Sequence, residues 1–225
     1  MTSSAIEHTT LFVPGLNSSG PLHWQSWLER QVPDAVRVIQ SDWKKADLAE
    51  WSSRVRREIS RQQGKVLIVA HSFGVLAAVQ AAEDHREKIA GALLVAPADP
   101  AKFGVEDFLP SGPLGFAATL VGSTNDPWMS IESATRWSAR WNAELVNIGQ
   151  AGHINAESGY GAWPGGLKLL ERLARKSPVH SAHALLRERR EAERAGVPQF
   201  GRGSGGTIGG RSKPDLNTIT EIARA

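Results

Sequence analysis

The sequence predicts an α/β fold in which a mostly parallel sheet of about six strands carries helices on both faces. Two observations lead to this prediction. Short apolar runs alternate with longer amphipathic segments through residues 1–176, which is the order of a chain that returns to one sheet through helices. The run Lys65–Ala70 is apolar almost throughout, as expected of a central strand that is covered on both faces.

The other elements follow from local patterns. Pro21 suits the first turn of a helix. After Asp47, apolar residues recur at steps of three or four and form one helical stripe, which consists of Leu48, Trp51, Val55 and Ile59. Further strands are predicted over Thr9–Val13, Val36–Ile39, Ile89–Val95, Phe116–Val121 and Glu144–Ile148. Helices are predicted over Pro21–Val32, from Asp47 to Gly64, from Phe73 to about Asp84, over Ser130–Trp141 and over Pro164–Lys176. In such sheets ligands bind beyond the carboxyl ends of the strands.

The net charge of the chain is concentrated at its end. The whole chain has 26 Lys and Arg against 23 Asp and Glu, a formal charge of +3. Residues 177–225 hold eight of the basic and five of the acidic residues, so this segment carries the entire excess and residues 1–176 are neutral. Because a nucleic-acid-binding domain normally presents a basic face, we expect no nucleic-acid partner.

The composition changes at the same place. All eight tryptophans lie in residues 1–176, whereas residues 201–210 are rich in glycine. We therefore predict a folded domain over residues 1–176 and a basic, largely disordered tail over residues 177–225. Within the tail, Ala182–Ala195 and Leu216–Ala223 have weak helical patterns.

The composition also bounds the compartment and the chemistry. The chain has no cysteine, which excludes disulfides and thiolate metal sites. The first ten residues do not resemble a signal peptide, and no apolar run is long enough to span a bilayer. We expect a cytoplasmic protein with no membrane partner. No metal or organic cofactor is expected, because no His, Asp and Glu cluster has ligand spacing. The sequence does not predict an oligomeric state.

The segment Ala70-His71-Ser72-Phe73-Gly74 joins the apolar strand to a helix. It has the pattern of a nucleophile elbow, with alanine at the first of the two small positions. A sharp strand-to-helix turn raises the serine hydroxyl above the sheet, and small residues are needed where the two backbones pass closely. Ser72 is the predicted nucleophile; the alternative is an ordinary helix-capping serine.

A serine nucleophile needs a base and an acid, which follow it along the chain in this kind of fold. His153 is the only histidine of residues 1–176 that lies beyond Asp126, and it is the predicted base. Two aspartates compete as the acid, because each lies in a loop after a predicted strand. Asp126 is preferred to Asp99, since its strand lies nearer to His153 in chain order.

The loops beside the nucleophile supply the remaining candidates. The backbone N–H groups of Phe73 and Leu16 are predicted to form an oxyanion hole. The substrate is predicted to contact Asn17, Trp24 and Trp128, and the loop Pro97–Gly115 is the one segment long enough to cover it partly. The loop after the first strand lacks the residues of a P-loop or a dinucleotide fingerprint, which argues against phosphate binding.

Taken together, residues 11–176 resemble the compact serine hydrolases that include retinoblastoma-binding protein 9 and many bacterial relatives. The matching segments are Val13–Asn17 with His23, Trp24 and Trp27; Val69–Gly74; Ser123–Trp128; and Gly152–Gly159 with Trp163 and Pro164. The resemblance implies a Ser72–Asp126–His153 triad and so favours Asp126 over Asp99. It also implies a reduced α/β-hydrolase fold without a large lid domain, and esterase-type activity. Retinoblastoma-protein binding belongs to particular relatives and is not carried over.

From these observations we predict a serine hydrolase that cleaves small carboxylic esters, or amides, through an acyl-enzyme on Ser72. The alternative is a protein-interaction module on a hydrolase scaffold with weak or no activity, in which residues 177–225 bind the partner.

Overall fold

A computed structural model describes residues 8–176 of the chain. These residues lie within one structural unit. The predictions for the tail, including its disorder and its two helical segments, fall outside the described residues. None of the helices within residues 8–176 has both the length and the apolar character that a bilayer crossing requires.

The core of the fold is a six-stranded parallel sheet. Its strands are β1 His8–Val13, β2 Ala35–Arg37, β3 Lys65–Ser72, β4 Ile89–Pro97, β5 Ala118–Gly122 and β6 Glu144–Asn147. Their spatial order is β2-β1-β3-β4-β5-β6, and every neighbouring pair is parallel. From β1 the chain continues to β2 on one side of the sheet, and from β3 it continues to β4 on the other side. The topological switch point of the sheet therefore lies between β1 and β3. Such a point opens a crevice at the carboxyl ends of the two strands.

Residues 8–176 form six α-helices. They are α1 Trp24–Glu29, α2 Leu48–Arg61, α3 Phe73–Glu83, α4 Pro100–Phe103, α5 Ile131–Trp141 and α6 Pro164–Arg175. Apolar residues of α2, α3 and α5 form a core cluster on one face, and those of α1 and α6 form a second cluster on the other. The side chains of β3 alternate between the two clusters, with Ile68 in the first and Val69 in the second. The predicted α/β architecture is confirmed.

The first helix begins later than predicted. Pro21 and Leu22 lie in a turn, and α1 begins at Trp24, because the His23 side chain caps the helix by accepting the N–H of Gln25. Leu22, which the predicted helix Pro21–Val32 included, therefore lies outside α1 and is 80% exposed. Likewise β5 begins at Ala118 rather than at Phe116.

The segment between β4 and β5 is the longest connection without a full-length helix. It contains the one-turn helix α4 and a short 3-10 turn, Glu106–Phe108. Within the described residues this segment is too small to form a lid domain, which agrees with the predicted reduced architecture.

Candidate active site

Ser72 ends β3 and immediately precedes α3. Its backbone has φ 55° and ψ −128°, a conformation that a residue with a side chain rarely adopts. The strain is held in place by the buried strand before it and the buried first turn of α3 after it. The result is the sharp turn expected of a nucleophile elbow, which presents the Ser72 hydroxyl at the carboxyl end of the sheet.

Two glycines are required by the close packing around this turn. A β-carbon on Gly74 would lie 2.3 Å from the carbonyl oxygen of Pro14, and one on Gly15 would lie 2.7 Å from the Ser72 β-carbon. Neither distance is compatible with a side chain. The carboxyl end of β1 therefore lies directly against the elbow, at the switch point of the sheet.

His153 lies in the loop after β6 and contacts both Ser72 and Asp126. Its Nε2 is 2.8 Å from Ser72 Oγ, and its Nδ1 is 2.9 Å from Asp126 Oδ1 and 3.0 Å from Oδ2. Since a carboxylate only accepts, the Nδ1–H donates to Asp126, which leaves Nε2 to accept the Ser72 hydroxyl proton. The side chains of His153 and Asp126 are only 9% and 2% exposed, so water screens their interaction weakly.

Asp99, the other candidate acid, does not contact His153 in the described residues. It caps α4, with Oδ1 accepting the N–H of Ala101 at 3.2 Å, and its Oδ2 lies 3.4 Å from Ser133 Oγ. The structure thus brings Asp126, and not Asp99, to the imidazole of His153.

The loops that carry Asp126 and His153 are joined by a network that the sequence analysis missed. Asn125 Oδ1 accepts the N–H of Gly152 at 2.7 Å, and Ser123 Oγ accepts the N–H of Ala151 at 2.9 Å. Ser123 also donates to Asn125 at 2.9 Å. The residues directly before Asp126 therefore fix the residues directly before His153. The one sequence signal for this was the Ser123–Trp128 segment of the family resemblance.

His71 lies beside His153, and His23 lies beside His71. The ring of His71 is 4.9 Å from that of His153 and 4.8 Å from that of His23. Burial, then the charge of Arg37 and the proximity of His153, lower the pKa of His23 to about 4. Burial is also the main reason that the pKa of His71 lies well below its usual range. Both rings are therefore neutral at pH 7.

A cleft of about 520 Å3 opens above Ser72 and His153. Its lining includes the predicted residues Leu16, Asn17 and Trp128, and Phe103 from α4. Pro21, Leu22 and the segment 155–157 also line the cleft. The size falls within the usual range for small-molecule sites.

The prediction that Trp24 contacts the substrate is wrong. Its side chain is fully buried and does not line the cleft. The indole packs against Trp163 and His71, and its N–H donates to the carbonyl of Ile154. Leu22, which lies in the turn before α1, lines the cleft instead.

The predicted oxyanion-hole residues both adjoin Ser72, since Phe73 directly follows it and Leu16 follows Gly15, which lies against it. Phe73 is the first residue of α3, where helix N–H groups are free to donate and the helix dipole favours negative charge. The N–H of Asn17 donates to the carbonyl of Trp43 at 2.8 Å. Among the described residues, the N–H of Leu16 donates to no backbone carbonyl. Leu16, and not Asn17, therefore has a backbone N–H available to a ligand.

The fold and this Ser-His-Asp arrangement define an α/β hydrolase. A family model described as "Serine hydrolase" matches residues 10–172, and the chain belongs to that family. The resemblance to a serine hydrolase family with bacterial members is thereby confirmed. A search of curated protein sequences gives no match.

Solved structures agree with this assignment. A protein described as a YdeN-like hydrolase from Pectobacterium atrosepticum is 43% identical, with a TM-score of 0.72, over 75% of this chain and 91% of its own. The ydeN gene product of B. subtilis is 18% identical, with a TM-score of 0.64, over 75% and 100%. Est1E from Butyrivibrio proteoclasticus, solved with ferulic acid bound, is 12% identical, with a TM-score of 0.58, over 75% and 87%. At such identities the last two show the fold alone.

Proposed function

We propose that this serine hydrolase cleaves small carboxylic esters through an acyl-enzyme on Ser72. The observation that carries the proposal is the continuous hydrogen-bonded chain from Ser72 through His153 to Asp126, with distances of 2.8 Å and 2.9 Å. A serine hydroxyl is a weak nucleophile until an oriented base removes its proton, and this chain supplies that base.

In the first half of the reaction, Ser72 Oγ attacks the ester carbonyl while His153 Nε2 takes its proton. The carbonyl π bond opens to an oxyanion, which the backbone N–H groups of Phe73 and Leu16 stabilise. Asp126 stabilises the imidazolium that forms. The oxyanion then collapses, the bond to the alcohol oxygen breaks, and His153 gives its proton to the departing alcohol.

In the second half, water takes the place of the alcohol. His153 removes a proton from this water, whose oxygen attacks the acyl carbonyl and forms a second oxyanion. Collapse releases the carboxylic acid and returns the proton to Ser72 Oγ. The same groups serve both halves, so no further residue is needed to complete the cycle.

The lining of the cleft supports uncharged substrates. Among the described residues that line it there is no Lys or Arg, and His23 and His71 are neutral at pH 7 because their pKa values are lowered. The lining also includes Glu157, an exposed acidic residue. Apolar surface comes from Leu22, Phe103 and Trp128, two of which are among the most exposed large apolar residues of the described chain. A short, neutral acyl group fits this environment.

A series of p-nitrophenyl esters tests the proposal. We expect turnover of acetate and butyrate esters by the wild type and a loss of at least about 10³-fold in Ser72→Ala. Ser53→Ala, at an exposed serine of α2, is the matched control and keeps wild-type activity. An ester of similar length that ends in a free carboxylate is expected to react more slowly than the butyrate.

The proposal is contradicted if the wild type turns over no ester, or if Ser72→Ala is as active as the wild type. The first outcome favours the alternative of an interaction module on a hydrolase scaffold.

A further inference from the structure

The loop that carries His153 has an unfavourable backbone conformation. Gly152 has φ 57°, and Ile154 has φ 47°, which is rare for a residue branched at its β-carbon. A conformation of this kind persists only where surrounding contacts fix it. Ile154 is fully buried, and its own N–H donates to the carbonyl of Ala151.

Two buried side chains hold successive carbonyl groups of this loop. His71 Nε2 lies 3.0 Å from the carbonyl oxygen of His153, and Trp24 Nε1 lies 2.7 Å from that of Ile154. Because a carbonyl oxygen only accepts, the His71 proton is on Nε2. The two donors are about 5% and 0% exposed, so water cannot readily take their place.

The two donors also connect the loop to the rest of the site. His71 directly precedes Ser72, so its hydrogen bond ties the nucleophile's strand to the backbone of the base. Trp24 begins α1, and its own backbone N–H donates to the carbonyl of Tyr160 at 3.0 Å. The Trp24 indole thus binds the loop at Ile154, and the Trp24 backbone binds the same loop at Tyr160.

We propose that His71 and Trp24 are positioning residues, which fix the backbone at His153 so that its Nε2 reaches Ser72 Oγ. The inference rests on the proposed esterase mechanism for its kinetic tests. Neither side chain reacts with the substrate. Their effect is geometric, because a displacement of about 1 Å between base and nucleophile is enough to lower a rate about 10²-fold.

Trp24→Phe removes one donor and keeps an aromatic ring. Trp141→Phe is the matched control, because Trp141 is also fully buried and its Nε1 donates to a backbone carbonyl, that of Pro110, at 3.1 Å. We expect similar losses of thermal stability in both variants, but a fall in kcat of about 10- to 100-fold only in Trp24→Phe. KM is expected to stay within about twofold of wild type, because Trp24 does not line the cleft.

Equal kcat values in the two tryptophan variants would overturn the proposal for Trp24. A raised KM with unchanged kcat in Trp24→Phe would also overturn it, because it would show that Trp24 binds substrate.

A second pair of variants tests His71. Glutamine places an N–H donor at a reach similar to that of Nε2, whereas leucine has no donor. His71→Gln is therefore expected to retain several-fold more kcat than His71→Leu. Equal kcat values in these two variants would overturn the proposal for His71.

A spectroscopic measurement separates this inference from the proposed function. The His153 Nδ1–H, hydrogen-bonded to Asp126, is expected to give a low-field proton resonance in labelled protein without any substrate. The signal should be retained in Trp141→Phe and weakened by exchange in Trp24→Phe and His71→Leu. If the wild type lacks ester turnover but shows this pattern, the proposed function fails and the positioning role stands. An unchanged signal in all variants overturns the positioning role.

Discussion

At the residue scale, two aspartates follow neighbouring strands and differ in what they contact. Asp126 accepts the Nδ1–H of His153 and, through Oδ1, the N–H of Trp128 at 2.8 Å. Asp99 caps a one-turn helix. An acid next to the base holds the imidazole in the tautomer that can accept a proton from serine, and a capping acid stabilises only its own helix.

Asparagine substitutions separate the two roles. Asp126→Asn is expected to lower kcat for p-nitrophenyl acetate by about 10³- to 10⁴-fold, because the amide favours the wrong tautomer of His153. Asp99→Asn keeps a side-chain oxygen that can cap α4, so its kcat should stay within about twofold of wild type. Comparable losses in both variants would contradict the roles given to these residues.

The sequence was sufficient to select Ser72 and His153 as candidates, because the elbow has a local pattern and only one histidine of residues 1–176 follows Asp126. It was not sufficient for Trp24. The direction of that side chain depends on where α1 begins, and His23 sets this through a cap that propensities do not predict. Asn125 and Ser123 were missed for a related reason, since their partners are backbone N–H groups of a loop almost thirty residues away.

At the element scale, the first turn of α3 packs closely against the carboxyl end of β1. The helix approaches so closely that Gly74 has two carbonyl oxygens, of Val13 and Pro14, within 2.5 Å of where a β-carbon would lie. This approach brings the loop after β1 against both Ser72 and the first turn of α3.

Gly74→Ala is expected to lower the free energy of unfolding by at least about 2 kcal/mol, because the backbones must separate to admit the methyl group. Gly64→Ala is the matched control, since no atom lies within 4 Å of a β-carbon there. Urea unfolding measures both. The packing argument would be refuted by equal stability of the two variants.

The strands and most helices could be predicted because their apolar patterns are strong, as in α2 and β3. The residues at which strands and helices begin were predicted less accurately. Phe116 has a strand-like side chain but lies before β5, because ladder pairing with β4 begins only at Ala118. The register of each pair was not available from the sequence, since it depends on contacts between distant segments.

At the scale of the whole molecule, the candidate active site lies at the switch point between β1 and β3. His23 and His71 are buried beside it. The folded-state pKa of His23 is about 4, below the ordinary value of 6.5. Between these values the unfolded chain binds a proton that the folded protein does not. The free energy of unfolding therefore falls as the pH decreases from about 6.5 to 4, by about 3 kcal/mol from His23.

His23→Asn is expected to reduce this pH dependence, because asparagine can still cap α1 but does not titrate. Urea unfolding at pH 7 and pH 4.5 measures the effect. The lowered pKa of His71 also makes the free energy of unfolding fall as the pH decreases. Some pH dependence of stability should therefore remain in His23→Asn. If the wild type and His23→Asn lose equal stability between the two pH values, the pKa argument fails.

The central claim is that Ser72 is an activated nucleophile, and a fluorophosphonate probe tests it most directly. The probe reacts with activated serines whatever the natural ester, so the result does not depend on the choice of substrate. We expect one covalent adduct, located on Ser72 by peptide mass spectrometry, that is absent in Ser72→Ala and strongly slowed in His153→Ala. An unlabelled wild-type protein, or an adduct on another serine, would contradict the account.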